Sequence, residues 1–401
     1  MSAIGGVVDF RKSNINYLIV DKMRSAQTLR GRKSSEVYID SGVGMFYNSD
    51  GYFECAQPMI SEREGFKTAL AMDSAFFDVE IAMEGYRAYG VEVVGMLEMP
   101  FSMALYDGER RILLLARDKE GRKPLYYRLK AGKVFFSSEP KGVLAIEDDA
   151  IRVNNEILSA HLTSPVGIYG AADIYSDIFE VGCGECIIFS EIGMSRFFYR
   201  ENHSKKIRMR GGGKAGREVI APNFDVSEED VFSSLDDALV AFDIPQFDVY
   251  MPSVCRMLYN YNGKRNCVFQ FIDYIKRYNI FYAYEREDRL NSFYGRLGVG
   301  VMAKSVDRCD SYEGSNKYEK YIEERKRYIL ENLMQAFFSM DRDEMLFLRE
   351  VLGDAKLNCV LKKFDNEQIK KENTDQIIRT LGMMYQTVKW QRLRNLNLIK
   401  M

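Results

Sequence analysis

Four short apolar runs, separated by turn residues, dominate residues 101–139. Each run has the length and the aromatic or β-branched composition of a strand, and the glycine-containing turns between them favour antiparallel hairpins. Ile112–Leu115 is apolar without a break, which predicts a strand covered on both faces. By themselves the residues predict a β-meander in a mixed protein, with strands at Phe101–Tyr106, Ile112–Ala116, Pro124–Tyr127 and Val134–Glu139.

The flanking pattern predicts strands first and helices later. Residues 3–10 form an apolar, glycine-containing run typical of a buried strand. Apolar residues at helical spacing predict a helix over residues 14–29, and Asn154 or Asn155 is a suitable N-cap for a helix over 156–162. In the second half of the chain the same spacing predicts helices at 266–283, 315–339, 341–351 and 367–379.

The strand region resembles a known family. Phe101-Ser-Met-Ala-Leu-Tyr-Asp, Leu115-Ala-Arg-Asp, Gly121-Arg-Lys-Pro-Leu-Tyr-Tyr and Phe136-Ser-Ser-Glu-Pro-Lys are similar, in order and spacing, to the glutaminase domain of glutamine-dependent asparagine synthetases. That domain is a class II glutamine amidotransferase, one of the N-terminal-nucleophile hydrolases. Further on, residues 173–180 and 184–189 resemble its closing hairpin.

The resemblance implies an α+β protein with a defined domain order. We expect an αββα sandwich over residues 1–199, a basic, glycine-rich and flexible linker over 200–224, and a mostly helical domain over 225–401. Residues 235–253 look like the middle of a synthetase domain, but the Ser-Gly-Gly-x-Asp-Ser loop that binds ATP pyrophosphate in the family does not occur. The second domain is therefore interpreted as a remnant, without ATP chemistry.

Position 2 is the first place where this chain departs from the family. The family carries a cysteine after the initiator methionine, and removal of that methionine frees an α-amine that acts as the base. This chain has Ser2. A serine nucleophile is chemically feasible, although its proton is much harder to remove than that of a thiol. An ordinary processed N-terminus is the alternative interpretation.

Three further features of the family site are absent from the sequence. The family has an arginine-bearing strand that grips the substrate carboxylate, a task suited to guanidinium, where this chain has Phe46-Tyr-Asn-Ser-Asp-Gly-Tyr52. Its Asn-Gly-Glu, which supplies the oxyanion amide and contacts glutamine, is replaced around Asp73 and Ser74. Its later acidic residue, which reads the substrate amine, has no counterpart. Asp73 and Ser74 are therefore degenerate candidates for substrate binding.

Metal and cofactor chemistry have only weak support. Cys183 and Cys186 form a C-x-x-C without a second pair at zinc spacing, so a structural hairpin is favoured over a metal or redox site. The carboxylates of 285–288 and of 341–344 alternate with arginines, a pattern more typical of a solvated, ion-paired face than of Mg²⁺ ligands. We expect no metal and no cofactor.

Composition bounds the environment and the partners. The chain has 401 residues, a formal net charge of −2 and seven scattered cysteines. The charge predicts no general attraction to nucleic acid or to acidic membranes, no apolar run is long enough for a membrane span, and the N-terminus lacks a secretory leader. The cysteines favour a reducing, cytoplasmic location. A helical half rich in Tyr, Phe and Met suggests a protein partner or a homo-oligomer, and the basic C-terminus leaves RNA binding as a less favoured alternative.

The leading hypothesis is a degenerate asparagine-synthetase homologue that acts as a non-catalytic binding or regulatory subunit. The alternative is an enzyme, either an amidohydrolase that uses Ser2 or a component that transfers ammonia within a larger complex.

Overall fold

The computed structural model describes most of the first half of the chain and the C-terminal helices. The described residues are 3–11, 14–27, 34–49, 60–62, 68–74, 79–97, 101–119, 121, 123–146, 151–163, 171–199, 218–220, 239, 243–245, 247, 267–269, 315–363, 374–394 and 396–399. They belong to two compact units: one takes those within 1–148 and 177–218, and the other takes the rest, including 151–163 and 171–176.

The first unit contains two six-stranded sheets. Sheet A has the strand order β11-β8-β9-β1-β3-β2, and sheet B has the order β13-β12-β7-β6-β5-β4. The strands are β1 (Ala3–Asp9), β2 (Ser34–Asp40), β3 (Val43–Ser49), β4 (Ile60–Glu62), β5 (Thr68–Ser74), β6 (Phe101–Asp107), β7 (Ile112–Arg117), β8 (Tyr126–Lys130), β9 (Lys133–Ser137), β11 (Phe179–Glu180), β12 (Glu185–Ser190) and β13 (Gly193–Phe198).

The two sheets pack face to face. Strand side chains alternate between the two faces of a sheet, and one buried cluster combines the inward residues of both. From sheet A it includes Ile4, Met45 and Phe136, and from sheet B it includes Leu113 and Ile187. The alternation is what lets short strands build a continuous core about 10 Å thick.

Helices cover the outer face of each sheet. On sheet A, α1 (Tyr17–Ala26) packs beside α3 (Pro140–Leu144). On sheet B, α2 (Val79–Tyr89) and the 3₁₀ helix Gly90–Met96 bury a second cluster that includes Phe101 and Leu114. The predicted αββα sandwich is confirmed. Ile112–Leu115 is covered on both faces as expected, because Leu113 and Leu115 face sheet A while Leu114 faces α2.

Some local predictions are wrong. The four central runs form two hairpins rather than one meander, because β7 belongs to sheet B and β8 to sheet A. For the same reason the predicted closing hairpin is not formed: β11 pairs with β8, while β12 pairs with β7 and β13. Sequence periodicity identifies a strand but not the sheet that it joins, and a polar loop of a few residues is enough to cross between the two sheets.

The second unit is mostly helical. Its helices are α4 (Asn155–Thr163), α5 (Ala171–Ile174), α6 (Ser315–Phe338), α7 (Arg342–Leu352), α8 (Asp354–Lys363) and α9 (Thr374–Arg394), and β10 (Ile151–Asn154) pairs in parallel with β16 (Leu396–Ile399). Asn154 is the cap of α4, since its Oδ1 accepts from the backbone N–H groups of Glu156 and Ile157.

Two segments differ from their sequence predictions in secondary structure. The helix predicted over 266–283 is wrong at its start, where Cys267–Phe269 forms a strand, β15, that pairs with β14 (Glu218–Ile220). Val and Phe at the centre of this run favour a strand as strongly as their spacing favours a helix. β14 also places a short strand inside the segment that the sequence assigns to a flexible linker.

The predicted domain boundaries remain a prediction. The division into two compact units differs from them at one place. The sequence assigns residues 1–199 to a single domain, whereas β10, α4 and α5 group with the C-terminal helices. The parallel pairing of β10 with β16 and the hydrogen bond from Asn155 Nδ2 to the Glu350 carbonyl (3.1 Å) account for this grouping.

Six residues of the second unit form a buried polar network. The Asp243 carbonyl accepts hydrogen bonds from Tyr175 Oη (2.5 Å) and from Trp390 Nε1 (2.9 Å). The Asp243 carboxylate accepts one from Arg394 Nη2 (2.6 Å). Two residues further on, the Pro245 carbonyl lies 2.7 Å from His161 Nε2. These contacts fix the short segment 243–245 between helices.

Acid is expected to destabilise this unit through His161. Burial, only partly offset by the hydrogen bond to Pro245, lowers the pKa of His161 to about 4. In the unfolded chain the imidazole has a pKa of about 6.5. Between those values the unfolded state binds a proton that the folded state does not, so stability falls as the pH falls. From pH 7.5 to pH 5 we expect a loss of about 2 kcal/mol in the free energy of unfolding.

Urea unfolding of wild type and of His161→Gln at both pH values measures this loss. Glutamine keeps an N–H donor near the position of Nε2 and does not titrate. The pH dependence of the variant should be weaker by about 2 kcal/mol. Equal pH dependence in the two proteins would contradict the assignment to His161.

Candidate functional site

The site predicted from the sequence lies at the beginning of β1, where Ser2 precedes Ala3. Ser2 itself lies outside the described residues. β1 is central in sheet A, between β9 and β3, and all seven of its residues are buried. A glycine at position 6 is needed there, because a Cβ would overlap the Gly44 carbonyl of β3. The strand is therefore held tightly within the sheet.

Ser138 anchors the start of β1. Its Oγ accepts a hydrogen bond from the Ile4 N–H (3.0 Å), and its own N–H donates to the Ile4 carbonyl (2.9 Å). Both backbone groups of Ile4 are thus paired two residues after Ser2. Ser138 belongs to the Phe136–Lys141 motif that carries the family resemblance, and this contact gives the motif a structural role.

β3 occupies the place where the resemblance implies an arginine-bearing strand. Its sequence, Val43–Ser49, contains no arginine, and Asn48 pairs with Ala3 across the sheet. Asn48 is buried and its Nδ2 donates to the Arg24 carbonyl of α1 (3.2 Å). The strand thus brings an amide committed to α1, rather than a guanidinium, next to the start of β1.

Asp73 and Ser74 end the strand β5. In register, Asp73 pairs with Ser102 and Ser74 pairs with Phe101. Ser102 in turn pairs with Arg117, so positions 73, 102 and 117 form one row across sheet B. Ser102 lies on the face turned toward sheet A, since it alternates with Phe101 and Met103 of the outer cluster. Of the two predicted positions, Asp73 belongs to this row, Ser74 is the next residue along β5, and Ser2 stays a prediction.

Arg117 is a buried charged side chain whose structural role sequence reasoning missed. It is almost fully buried and donates to Glu180 Oε1 (2.8 Å), to the Val181 carbonyl (2.9 Å) and to the Gly121 carbonyl (2.7 Å). Because Arg117 ends β7 of sheet B and Glu180 is in β11 of sheet A, the ion pair ties the two sheets together. The signal was an arginine directly after a continuously apolar strand, a position where a charge needs a buried partner.

The C-x-x-C has no reactive pair of thiols. No disulfide joins Cys183 to Cys186. Burial, reinforced by the neighbouring Glu185 carboxylate, raises the pKa of the Cys186 thiol to about 12, so it stays protonated near neutral pH. Within the described part of the chain, no three His, Cys, Asp or Glu side chains are grouped to hold a metal ion.

The sequence contains two groups of carboxylates that alternate with arginines. The group at 285–288 lies outside the described residues, and the group at 341–344 forms a helix cap. Asp341 accepts from the Glu344 N–H (2.9 Å), and Glu344 accepts in return from the Asp341 N–H (2.8 Å). Arg392 pairs with both carboxylates. This is the ion-paired surface that the sequence favours over Mg²⁺ ligation.

Comparison with known proteins finds similarity to glutamine amidotransferases. Residues 64–200 match the glutamine amidotransferase domain family. The chain is 25% identical over 230 residues to asparagine synthetase [glutamine-hydrolyzing] 3 of Bacillus subtilis, covering 51% of this chain and 38% of that protein. It is 34% identical over 109 residues to the amidase chyE of Penicillium rubens, covering 26% of this chain and 16% of that protein. Among solved structures, glutamine phosphoribosylpyrophosphate amidotransferase from B. subtilis aligns at 13% identity and a TM-score of 0.35, over half of each chain.

The chain thus spans well under half the length of these curated relatives. Over residues 64–200 it is similar to glutamine amidotransferase domains, among them that of an asparagine synthetase. No described helix is long and apolar enough to cross a membrane.

Proposed function

We propose that this asparagine-synthetase-like protein uses its amidotransferase domain for binding or regulation and not for glutamine hydrolysis. One observation carries the proposal: the strands that would frame the site are intact, while the residues in them are not those that the chemistry needs. β3 has Asn48 bound to α1 and no guanidinium, β5 ends in Asp73-Ser74, and β1 follows a serine.

The expected loss of activity is large. Removing a single preorganised oxyanion donor lowers a rate by about a hundredfold to a thousandfold. The sequence also replaces the thiol, and a serine hydroxyl is a much weaker nucleophile near neutral pH. The missing arginine affects substrate binding, the missing thiol affects the nucleophile, and the missing oxyanion donor affects the transition state. Because these steps are separate, restoring one group does not restore turnover.

A glutaminase assay with matched variants tests the proposal. We expect wild type, Ser2→Ala and Ser2→Cys to release ammonia from glutamine at the same background rate. Ser2→Cys is the informative variant, because it supplies the family nucleophile on the existing scaffold. Ammonia release from wild type that Ser2→Ala abolishes, with its melting temperature unchanged, would overturn the proposal.

A Ser2-dependent amidohydrolase is the second candidate function. A related possibility is a component that transfers ammonia within a larger complex. The amidohydrolase is favoured by the similarity to proteins named amidases in Penicillium rubens and Gibberella zeae, which extends over 109 and 85 residues. Mass spectrometry of the intact protein distinguishes this candidate early. A retained Met1 blocks the α-amine that would act as base and eliminates it.

The partner that we propose is a protein or a second copy of the chain, in the cytoplasm. RNA binding through the basic C-terminus is less well supported, because three of its described cations already have partners. Arg392 pairs with Asp341, Arg394 pairs with Asp243, and Lys389 lies over the Tyr385 ring.

A further inference from the structure

Two buried carboxamides lie behind the start of β1, on the face of sheet A that α1 covers. Gln27 follows the last residue of α1 and is 1% exposed, and Asn48 is in β3 and is 4% exposed. Within the described part of the chain, the amide O and N of Gln27 and the Oδ1 of Asn48 have no hydrogen-bond partner. Buried polar groups are nearly always hydrogen-bonded, since each orphan costs about 1–3 kcal/mol.

The two side chains belong to one place in the fold. The Arg24 carbonyl accepts from the Gln27 N–H (3.2 Å) and also from Asn48 Nδ2 (3.2 Å). The far end of Gln27 lies beside Gly142 of α3, where a Cβ would come within 3.1 Å of Nε2. A larger residue at 142 would also overlap Ser137 of β9. The Gln27 amide therefore lies beside Ser137 of β9 and Gly142 of α3, and Asn48 lies under the C-terminal end of α1.

We propose that this polar enclosure binds an internal water molecule that joins Gln27 to Asn48. A water is the ligand that fits the chemistry, because it can donate to two carboxamide oxygens and accept from an amide N–H at the same time. The side chains offer both kinds of group, and the same holds for either orientation of the Gln27 amide. Both side chains are almost fully buried, which favours a ligand as small as water.

The water has a specific structural task. Asn48 pairs with Ala3, the first residue of β1, and its Nδ2 donates to the Arg24 carbonyl of α1. A water bound between the two carboxamides couples the C-terminal end of α1 to the strand that flanks Ala3. It positions the residue that follows Ser2, whether or not Ser2 is catalytic.

Replacement of Gln27 by methionine shows whether the Gln27 amide is bound to a water molecule or lacks a hydrogen-bond partner. Methionine has similar length and no hydrogen-bonding groups. If the amide is bound to water, Gln27→Met should lower the folding equilibrium constant by roughly tenfold, because a buried network loses a member. If the amide is an unsatisfied group, its removal should leave the constant unchanged or raise it, and the proposal is then wrong.

A crystal structure of the full chain, together with Asn48→Leu and the double variant, completes the test. Density within hydrogen-bond distance of both Gln27 and Asn48 Oδ1 supports the proposal, and a direct Gln27–Asn48 bond overturns it. A shared water also predicts that the double variant costs less than the sum of the two single changes. Strict additivity would contradict it. None of these measurements depends on enzymatic activity, so they are independent of the proposed function.

Discussion

Trp390→Ala is expected to destabilise the second unit by roughly 4 kcal/mol. Loss of a buried tryptophan typically costs 3–5 kcal/mol through lost burial and the remaining cavity. Trp390 is 1% exposed, and its Nε1 donates to the Asp243 carbonyl and to Tyr175 Oη (3.1 Å). Because folded domains have a stability of about 5–15 kcal/mol, this single change removes a large part of it.

Trp390→Phe is the matched control, since it keeps an aromatic ring and removes the N–H. We expect Trp390→Phe to lower the free energy of unfolding by about 1–2 kcal/mol, because it loses a hydrogen bond and has a smaller ring. Urea unfolding followed by far-UV circular dichroism measures both variants. Fluorescence is suited to wild type alone, because Trp390 is the only tryptophan and therefore reports on the second unit. Equal effects of the two substitutions would show that the hydrogen bonds of the indole N–H, and not the buried volume, set the cost.

Arg117→Met should destabilise the first unit by about 3 kcal/mol. Breaking a buried ion pair by removing one partner typically costs 3–5 kcal/mol. The substitution leaves Glu180 and two backbone carbonyls without their donor. Glu180 is 19% exposed, so water can compensate in part, and we expect the lower end of that range.

Arg327→Met provides the comparison for Arg117. Its ion pair with Glu331 lies on the surface of α6, with side chains 86% and 62% exposed, and exposed pairs contribute about 0–1 kcal/mol. Differential scanning calorimetry of both variants checks the contrast. A shift in melting temperature for Arg117→Met as small as that for Arg327→Met would contradict the assigned role of the buried pair.

Much of the sandwich could be predicted because its strands carry local signals. The continuous apolar run Ile112–Leu115 indicates burial on both faces, and the glycine turns indicate hairpins. The assignment of β8 to the opposite sheet could not be predicted, since it depends on contacts between residues far apart in sequence. The strand at Cys267–Phe269 was missed because apolar spacing in a short segment does not distinguish a helix from a strand.

The candidate site, too, could be predicted only in part. Sequence alone identifies Ser2 and the lack of an arginine over residues 46–52, because these are matters of residue type. The roles of Ser138 and Arg117 were not predictable: Ser138 contacts Ile4 from 134 positions away, and Arg117 contacts Glu180 from 63 positions away. Such distant pairs leave no periodic trace in one sequence.

The pairing of β10 with β16 has a practical consequence for expression of the amidotransferase part alone. A fragment ending at residue 199 would carry Ile151, Val153 and Tyr175, all buried in the intact chain, without the C-terminal strand and helix that cover them. Such a fragment would expose an apolar surface and an unpaired strand edge, and it should self-associate. A soluble fragment would instead need residues 149–176 replaced by a short polar connection.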